Sequence, residues 1–410
     1  MKARIFLQFI CLSFVLGIVS CEDDAFLDNR YQVEEGVPAK VQLCFQAEKN
    51  ALISRAAQDE AYESRVDNIY IIVFDGAGKR KFSKFCTEGS GLSYTEGHNK
   101  GIITFETTSL NNARIVGVAN LTTAITSTAY TITPDDLSEE KIKNLDDLKA
   151  MYMSMQERSI ERYGLFMMTG YAKDKDDQDS ETVTIPGGEG NMQTLNAILQ
   201  LERTDAKIKF IVQADPGKAE WKNFSFLPKE WTVKRVPLQS FILKADEEDY
   251  DENAVYFNSP SVVFEDITRN AENANLYSGG SFVFYMPENK KSPKETIKEA
   301  MGETTPYAQR ESWVKEDSNG DKIFTNANEN STYVEMTGTL SYIDTDNQQV
   351  SADVCFTVHL GYASQDVNDY MTERNCFYTY TVKIRGIDDI IYEVEKRDDR
   401  RPGYEGNVVP

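Results

Sequence analysis

Along most of the chain apolar and polar residues alternate one for one, in short runs broken by Gly, Asn and Asp. Side chains on a strand point to opposite faces with a period of two, so this pattern predicts half-buried β-strands. Ala39, Val41, Leu43 and Phe45 alternate with Lys40, Gln42, Cys44 and Gln46, giving one apolar face and one polar or small face. Residues 69–74 are apolar without a break and stop at Asp75-Gly76, a turn signal. A strand covered on both faces reads this way. Further strands are predicted over residues 102–105, 114–119 and 166–169. One segment departs from period two: Ile142, Leu145, Leu148, Tyr152 and Met155 recur at helical spacing after Ser138, Glu139 and Glu140. An acidic first turn suits a helix N-terminus, so a helix is expected there.

A polar, Gly-containing stretch at 174–190 is followed by a second series of strands. Ile198, Leu199 and Leu201, then Ala206, Ile208, Phe210 and Val212, flank Arg203-Thr204-Asp205. Candidates continue at 231–236, 241–243, 281–286, 333–342, 354–360, 377–384 and 387–394. Asp344-Thr345-Asp346-Asn347 reads as a hairpin turn between two alternating runs. The fold class is all-β, with one or two short helices, and the length suggests two domains. We place them at residues 37–197 and 198–395.

The N-terminus changes the picture of where the protein works. Lys2 and Arg4 precede an apolar run over residues 5–19, the two parts of a secretory signal. The run is shorter than the roughly 20 residues of a bilayer span. It ends at Leu16-Gly17-Ile18-Val19-Ser20-Cys21, which resembles the lipobox of bacterial lipoproteins. That resemblance implies removal of residues 1–20, acylation of Cys21 and a tether over 21–36. The alternative is an ordinary signal with an incidental cysteine. Glu22, Asp23 and Asp24 follow, and an acidic cluster there resembles the surface-export signal of Bacteroidete-type lipoproteins. The alternative is the solvated start of a tether.

A net charge of −22 argues against nucleic acid and anionic membrane surfaces as ligands. Acidic runs such as 173–181 and 246–252 read as exposed loops. Of six cysteines, Cys11 leaves with the signal and Cys21 carries lipid. Cys44, Cys86, Cys355 and Cys376 show no metal-type spacing. An oxidising compartment permits Cys44–Cys86 and Cys355–Cys376 disulfides, and buried free thiols fit as well.

A set of short stretches, in order, carries a wider resemblance. In the first half they are Ser54-Arg55-Ala56, the run 69–75 and Val116-Gly117-Val118-Ala119-Asn120. In the second half they are Leu201-Glu202-Arg203 with Ala206-Lys207-Ile208, Trp231-Thr232-Val233 before Pro237, and Phe284-Tyr285-Met286-Pro287-Glu288-Asn289. His359-Leu360-Gly361 before Asn368-Asp369-Tyr370 follows, then Arg374-Asn375, Tyr378-Thr379-Tyr380, Ile384-Arg385-Gly386 and Ile390-Ile391-Tyr392-Glu393-Val394. In these the chain resembles the fimbrillin superfamily, the type V pilus subunits of Bacteroidete-type bacteria. The resemblance implies two tandem transthyretin-like β-sandwich domains, exported as an outer-membrane lipoprotein and displayed on the cell surface. It also implies partners: other pilus subunits through strand exchange, the outer membrane through the lipid, and a host glycan or protein as an adhesion target. In the family a protease cuts after an arginine that follows the first strand, and a C-terminal strand of another subunit replaces it.

The residues allow that scheme to be made specific. The displaced strand is the one bearing Ala39, Val41, Leu43 and Phe45. Arg55 and Arg65 lie in the polar stretch after it, and Arg55 before Ala56 is the chosen cut, with a solvated loop arginine as the alternative. Ile390, Tyr392 and Val394 share period two and are the candidate donor strand, with an ordinary strand of their own domain as the alternative. The tail 396–410, which contains Arg401-Pro402-Gly403, is longer than a shaft subunit needs, so an accessory or tip subunit fits too.

Catalytic chemistry is not legible. Only two histidines occur, His98 in a polar loop and His359 in a strand, and each reads as structural. No nucleophile, metal or phosphate motif appears, so no enzyme, metal site or cofactor is expected. Asp317-Ser318-Asn319-Gly320-Asp321 resembles the opening of a calcium loop, but Lys322 stands where glycine is expected and Asn328 where glutamate is. It reads as a turn. The alternative function is a non-polymerising surface lipoprotein that binds glycan or host protein through exposed tyrosines, which sheet propensity alone also explains.

Overall fold

The structure, a computed structural model, describes residues 32–47, 61–162, 164–177, 179–188, 190–244, 255–297, 306–318 and 320–398. Cys21, Arg55, Ala56, the acidic run 246–252 and the tail beyond Asp398 lie outside them.

The first domain holds β1 (Pro38–Ala47), β2 (Asn68–Phe74), β3 (Arg80–Glu88), β4 (Gly91–Glu96), β5 (Lys100–Thr108), β6 (Leu110–Ala119), β7 (Met168–Asp174) and β8 (Met192–Arg203). Pairing runs β2-β3-β4-β5-β1-β8-β7-β6, and β6 pairs again with β2, so the two layers of the sandwich join around both sides. One join is thin: β3 and β4 meet only at Thr87–Gly91 and Glu88–Leu92. There Lys84 Nζ donates 3.1 Å to the Thr104 carbonyl. A lysine turned across an edge blunts it against foreign strands.

β2 is buried along its whole length, as its unbroken apolar run predicts. Ile69, Ile71 and Val73 face the sandwich interior, whereas Tyr70, Ile72 and Phe74 lie under the segment between β6 and β7. That segment carries the expected helix in a much shorter form, α1 (Leu145–Lys149). Its start is Asn144, whose side chain accepts from the Asp147 amide at 2.9 Å while the Asp147 carboxylate accepts from the Asn144 amide at 3.0 Å. Ser138 instead closes a 3₁₀ turn, Pro134–Leu137. Past Ala150 the chain is extended, and Tyr152–Ser154 pairs with Gln239–Phe241, the Tyr152 ring stacking on Phe241 at 4.1 Å. Met153 and Met155 are both buried, so from residue 151 the real period is two and a tertiary partner decides between helix and strand.

The expected boundary at residue 198 falls inside β8, which runs parallel beside β1. The strands either side of Thr204 belong to different sheets, so the chain passes from the first domain to the second there. The second domain holds β9 (Asp205–Ala214), β10 (Lys222–Lys234), β11 (Tyr277–Pro287), β12 (Tyr333–Ile343), β13 (Gln349–His359), β14 (Cys376–Ile384) and β15 (Ile390–Asp398). Pairing runs β13-β12-β10-β11-β9-β14-β15, but β10 and β11 meet at one pair, Phe226–Ser278. The result is two facing layers around an aromatic core, in which Phe210 stacks on Tyr380 at 4.6 Å and Trp231 on Phe282 at 4.2 Å. The turn expected at residues 344–347 joins β12 to β13, with Asn347 at φ 56°. Cys44, Cys86, Cys355 and Cys376 are free thiols, and burial pushes the Cys86 thiol up to about 11.

Candidate strand-exchange site

β1 sits between β5, antiparallel, and β8, parallel with one irregularity between Gln42 and Cys44. Its inward side chains are buried: Ala39 is 4% exposed, Val41 and Leu43 0%, and Phe45 2%. Burying a Val, Leu or Phe side chain contributes about 1.5–3 kcal/mol. A strand of the same pattern would therefore be held by several such terms. Taking β1 away would leave an apolar trough flanked by two rows of unpaired backbone groups, the form that accepts an added strand.

Across β1 the facing residues of β5 are Phe105 opposite Val41, Ile103 opposite Leu43 and Gly101 opposite Phe45. The Phe45 ring lies over Gly101 and meets the Tyr94 ring edge-on at 6.3 Å. Gly101 was missed in the sequence, although an isolated glycine in a strand pattern signals a close approach of side chain or backbone.

The chain after the segment bearing Arg55 is anchored independently of β1. It re-enters at the 3₁₀ turn Ala61–Glu63, where the buried Glu63 carboxylate accepts from Arg203 at 2.7 Å, Lys207 at 2.6 Å and the Tyr285 hydroxyl at 2.6 Å. Those partners come from β8, β9 and β11, so Glu63 spans the junction at Thr204. Burial, then the Glu63 charge, holds the Tyr285 hydroxyl far above its usual value. A second cluster lies at the same junction, where Asp205 accepts from Arg162 at 3.1 Å and from the Tyr130 hydroxyl at 2.5 Å. Nothing local in sequence marks Glu63, because its partners are distant in the chain.

Ile390, Tyr392 and Val394 lie on β15, at the edge of the second domain and, among the described residues, paired only with β14. Period two holds: Tyr392 and Val394 point inward and are buried, Glu393 and Glu395 are exposed, and Ile390 is half-buried. The Tyr392 hydroxyl donates to Glu311 at 2.7 Å, just after α2 (Pro306–Arg310). Glu311 also accepts from the His359 amide at 3.0 Å and lies 2.6 Å from His359 Nδ1. Tyr392 and Val394 are thus packed in their own domain, as the inward side chains of β1 are in theirs.

In the acidic stretch the Asp317 side chain accepts from the Asp321 amide at 2.9 Å, and the Asp317 amide donates to the Asp321 carbonyl at 2.8 Å. Arg235 lies 3.1 Å from Asp317 and 3.3 Å from Asp321, and Asn258 donates to Asp321 at 2.8 Å. The protein's own donors occupy these carboxylates. Among the described residues no group of side chains forms a metal-ligating set.

Residues 284–382 match a family model described as a domain of unknown function, DUF4906. No curated protein sequence matches the chain. Two solved structures from Parabacteroides distasonis, provisionally assigned to cell adhesion, are similar to it. One is 12% identical over 90% of this chain and 100% of its own, with a TM-score of 0.51. The other is 14% identical over 88% and 97%, with a TM-score of 0.50. The tip fimbrial protein Mfa3 of Porphyromonas gingivalis, truncated at its C-terminus, is 15% identical over 88% and 99%, with a TM-score of 0.47. The fold is shared with the two Parabacteroides distasonis structures: two β-rich domains of sandwich form.

Proposed function

We propose that the protein is a non-enzymatic fimbrial subunit of accessory or tip type, displayed at the cell surface for adhesion. It is exported as a lipoprotein through Cys21 and cut after Arg55. It then accepts a neighbouring subunit's strand in place of β1. The observation that carries this reading is the seat of β1. It is the first strand of its domain and fills a trough between β5 and β8. Only the segment bearing Arg55 separates it from the anchor at Glu63. A single cut there would free the strand covalently and leave the remaining domain pinned.

The place of Tyr392 favours an acceptor that does not donate. A shaft subunit must both receive and give a strand, whereas β15 is tied into its own sandwich through Glu311. On this reading Ile390, Tyr392 and Val394 stay in their own domain, and their role as a donor strand would require β15 to leave it. An end subunit needs only to receive.

The test is to isolate surface assemblies from producing cells and sequence the N-terminus of this subunit. Ala56 is expected first, with residues 39–47 absent, and Arg55→Ala is expected to leave the protein outside the assemblies. A subunit that retains residues 39–47 within assemblies overturns the reading and leaves a non-polymerising surface lipoprotein.

A further inference from the structure

We infer that the trough beneath β1 selects its incoming strand by size. It takes a β-branched residue, then a leucine-sized residue, then an aromatic at alternate positions, so the donor is a different chain from this one. The inference rests on the proposed acceptor role and adds the identity of the partner to it.

The sizes on the two strands are complementary. The largest side chain of β1, Phe45, faces Gly101, and the smaller Val41 faces Phe105. A Cβ on Gly101 would lie 2.6 Å from Phe45 Cε1 and 2.1 Å from the Ser93 carbonyl, so only glycine leaves room for the ring. Gly101 is paired on both sides, with Phe45 and with Tyr94, so the ring that covers it is fixed in register by two neighbouring strands. The slot is held by contacts that do not involve β1: Tyr94 forms its wall and donates its hydroxyl to the Val66 carbonyl at 2.7 Å. At the other end Phe105 stacks on Phe82 at 5.5 Å, which fixes the ring that faces Val41 and limits what can lie there.

The C-terminal edge strand, β15, fits this profile in no register. Entering in the direction of β1 with Ile390 at the Val41 position, it places Tyr392 against Ile103 and Val394 over Gly101, where a ring is missing. Moving Tyr392 over Gly101 brings Asp388 opposite Phe105, and reversing the strand brings Lys396 there instead. A charge in an apolar slot carries a desolvation penalty that an added strand does not recover. Tyr392 opposite Phe105 sets two large rings face to face where a valine now lies. The remaining placement, reversed with Tyr392 against Ile103, puts Ile390 over Gly101 and Lys396 in the place of the buried Ala39. The segment on the exposed face of the same strand, Ile391, Glu393 and Glu395, is charged.

The experiment uses the full mature chain with a single site for a sequence-specific protease placed in residues 48–60. After cutting, three labelled peptides compete for the trough: residues 38–47, the same peptide with Phe45→Val, and residues 388–398. The first is expected to exchange in and restore the melting temperature of the uncut protein. The second is expected to bind at least about thirtyfold more weakly, from the loss of a buried ring. The third is expected to give no signal at concentrations that saturate the first. Binding of the Phe45→Val peptide within about threefold of the first, or of peptide 388–398 at equal strength, overturns the inference while leaving the acceptor role standing. If even residues 38–47 fail to enter, the acceptor role fails and the inference with it. A further arm needs no exchange: in the uncut chain, Val41→Phe with Phe45→Val keeps the composition of the strand and reverses its sizes. Its melting temperature is expected to fall clearly, and an unchanged value overturns the size argument directly.

Discussion

The hydroxyl of Tyr392 donates to Glu311 across 2.7 Å, and the same carboxylate lies 2.6 Å from the buried His359. An edge strand has one neighbour to hold it, so this bond fastens β15 to the opposite side of its sandwich. Hydrogen bonds to a charged group contribute about 1.5–3 kcal/mol. Tyr392→Phe keeps the ring and removes the bond, so we expect a lower melting temperature and faster amide exchange over residues 390–398 than over 376–384. Tyr392→Asp is expected to be far more damaging and Glu393→Lys, on the exposed face, nearly neutral. Unchanged exchange in Tyr392→Phe would show that the strand is held by packing alone.

Glu63 makes a separate prediction about the junction. Removing one partner of a buried ion pair destabilises by about 3–5 kcal/mol, because a charge stays buried without it. Glu63→Ala takes the carboxylate from both Arg203 and Lys207. Urea unfolding is expected to show the loss together with a broader transition as the domains cease to unfold together. Glu63→Gln, which keeps the shape and part of the hydrogen bonding, is expected to lose less. Equal stability of Glu63→Ala and wild type would remove the anchoring role.

Acid is expected to weaken the protein through His359. Burial holds its imidazole below the ordinary histidine value, against the pull of Glu311 and together with the repulsion of Arg310 and Lys322. The unfolded chain takes up a proton near the ordinary histidine value of about 6.5, whereas the folded chain resists it to lower pH. The stabilisation is therefore complete above about pH 6.5 and declines as pH falls through the depressed folded value. Melting temperatures between pH 7 and pH 5 check this. Wild type is expected to lose stability over that window, and His359→Gln to show a shallower slope from a lower starting point. Parallel slopes for the two proteins would assign the acid sensitivity elsewhere.

The proposed anchor depends on Cys21. Cys21→Ala is expected to abolish incorporation of labelled palmitate and to leave a precursor that still carries residues 1–20. Labelling that persists in the variant would remove the lipid from the account of surface display.

Much of the fold was legible because β-strands write their burial into the sequence at period two. Ala39, Val41, Leu43 and Phe45 are buried as their alternation predicts, and the unbroken run 69–74 is covered on both faces. Tyr392 and Val394 turn inward with Glu393 and Glu395 outward, for the same reason. The expected helix is real only over Leu145–Lys149; Tyr152 and Met155 continue its spacing in sequence but lie in extended chain. The pairing of residues 152–154 with 239–241 is a contact between distant parts of the chain that no local window contains.

By itself the sequence determined which face of β1, β2 and β15 would be buried, that the chain would form two β-domains, and where an apolar leader meets a cysteine. Those are local properties, set by the spacing of apolar side chains along a few neighbouring residues. Only the tertiary structure decided that Gly101 lies under Phe45, that Glu63 gathers partners from three strands, and that Tyr392 is spent on Glu311 inside its own domain. Each of these joins residues far apart in the chain, and their distances follow from how the sheets stack, which no short stretch of sequence records.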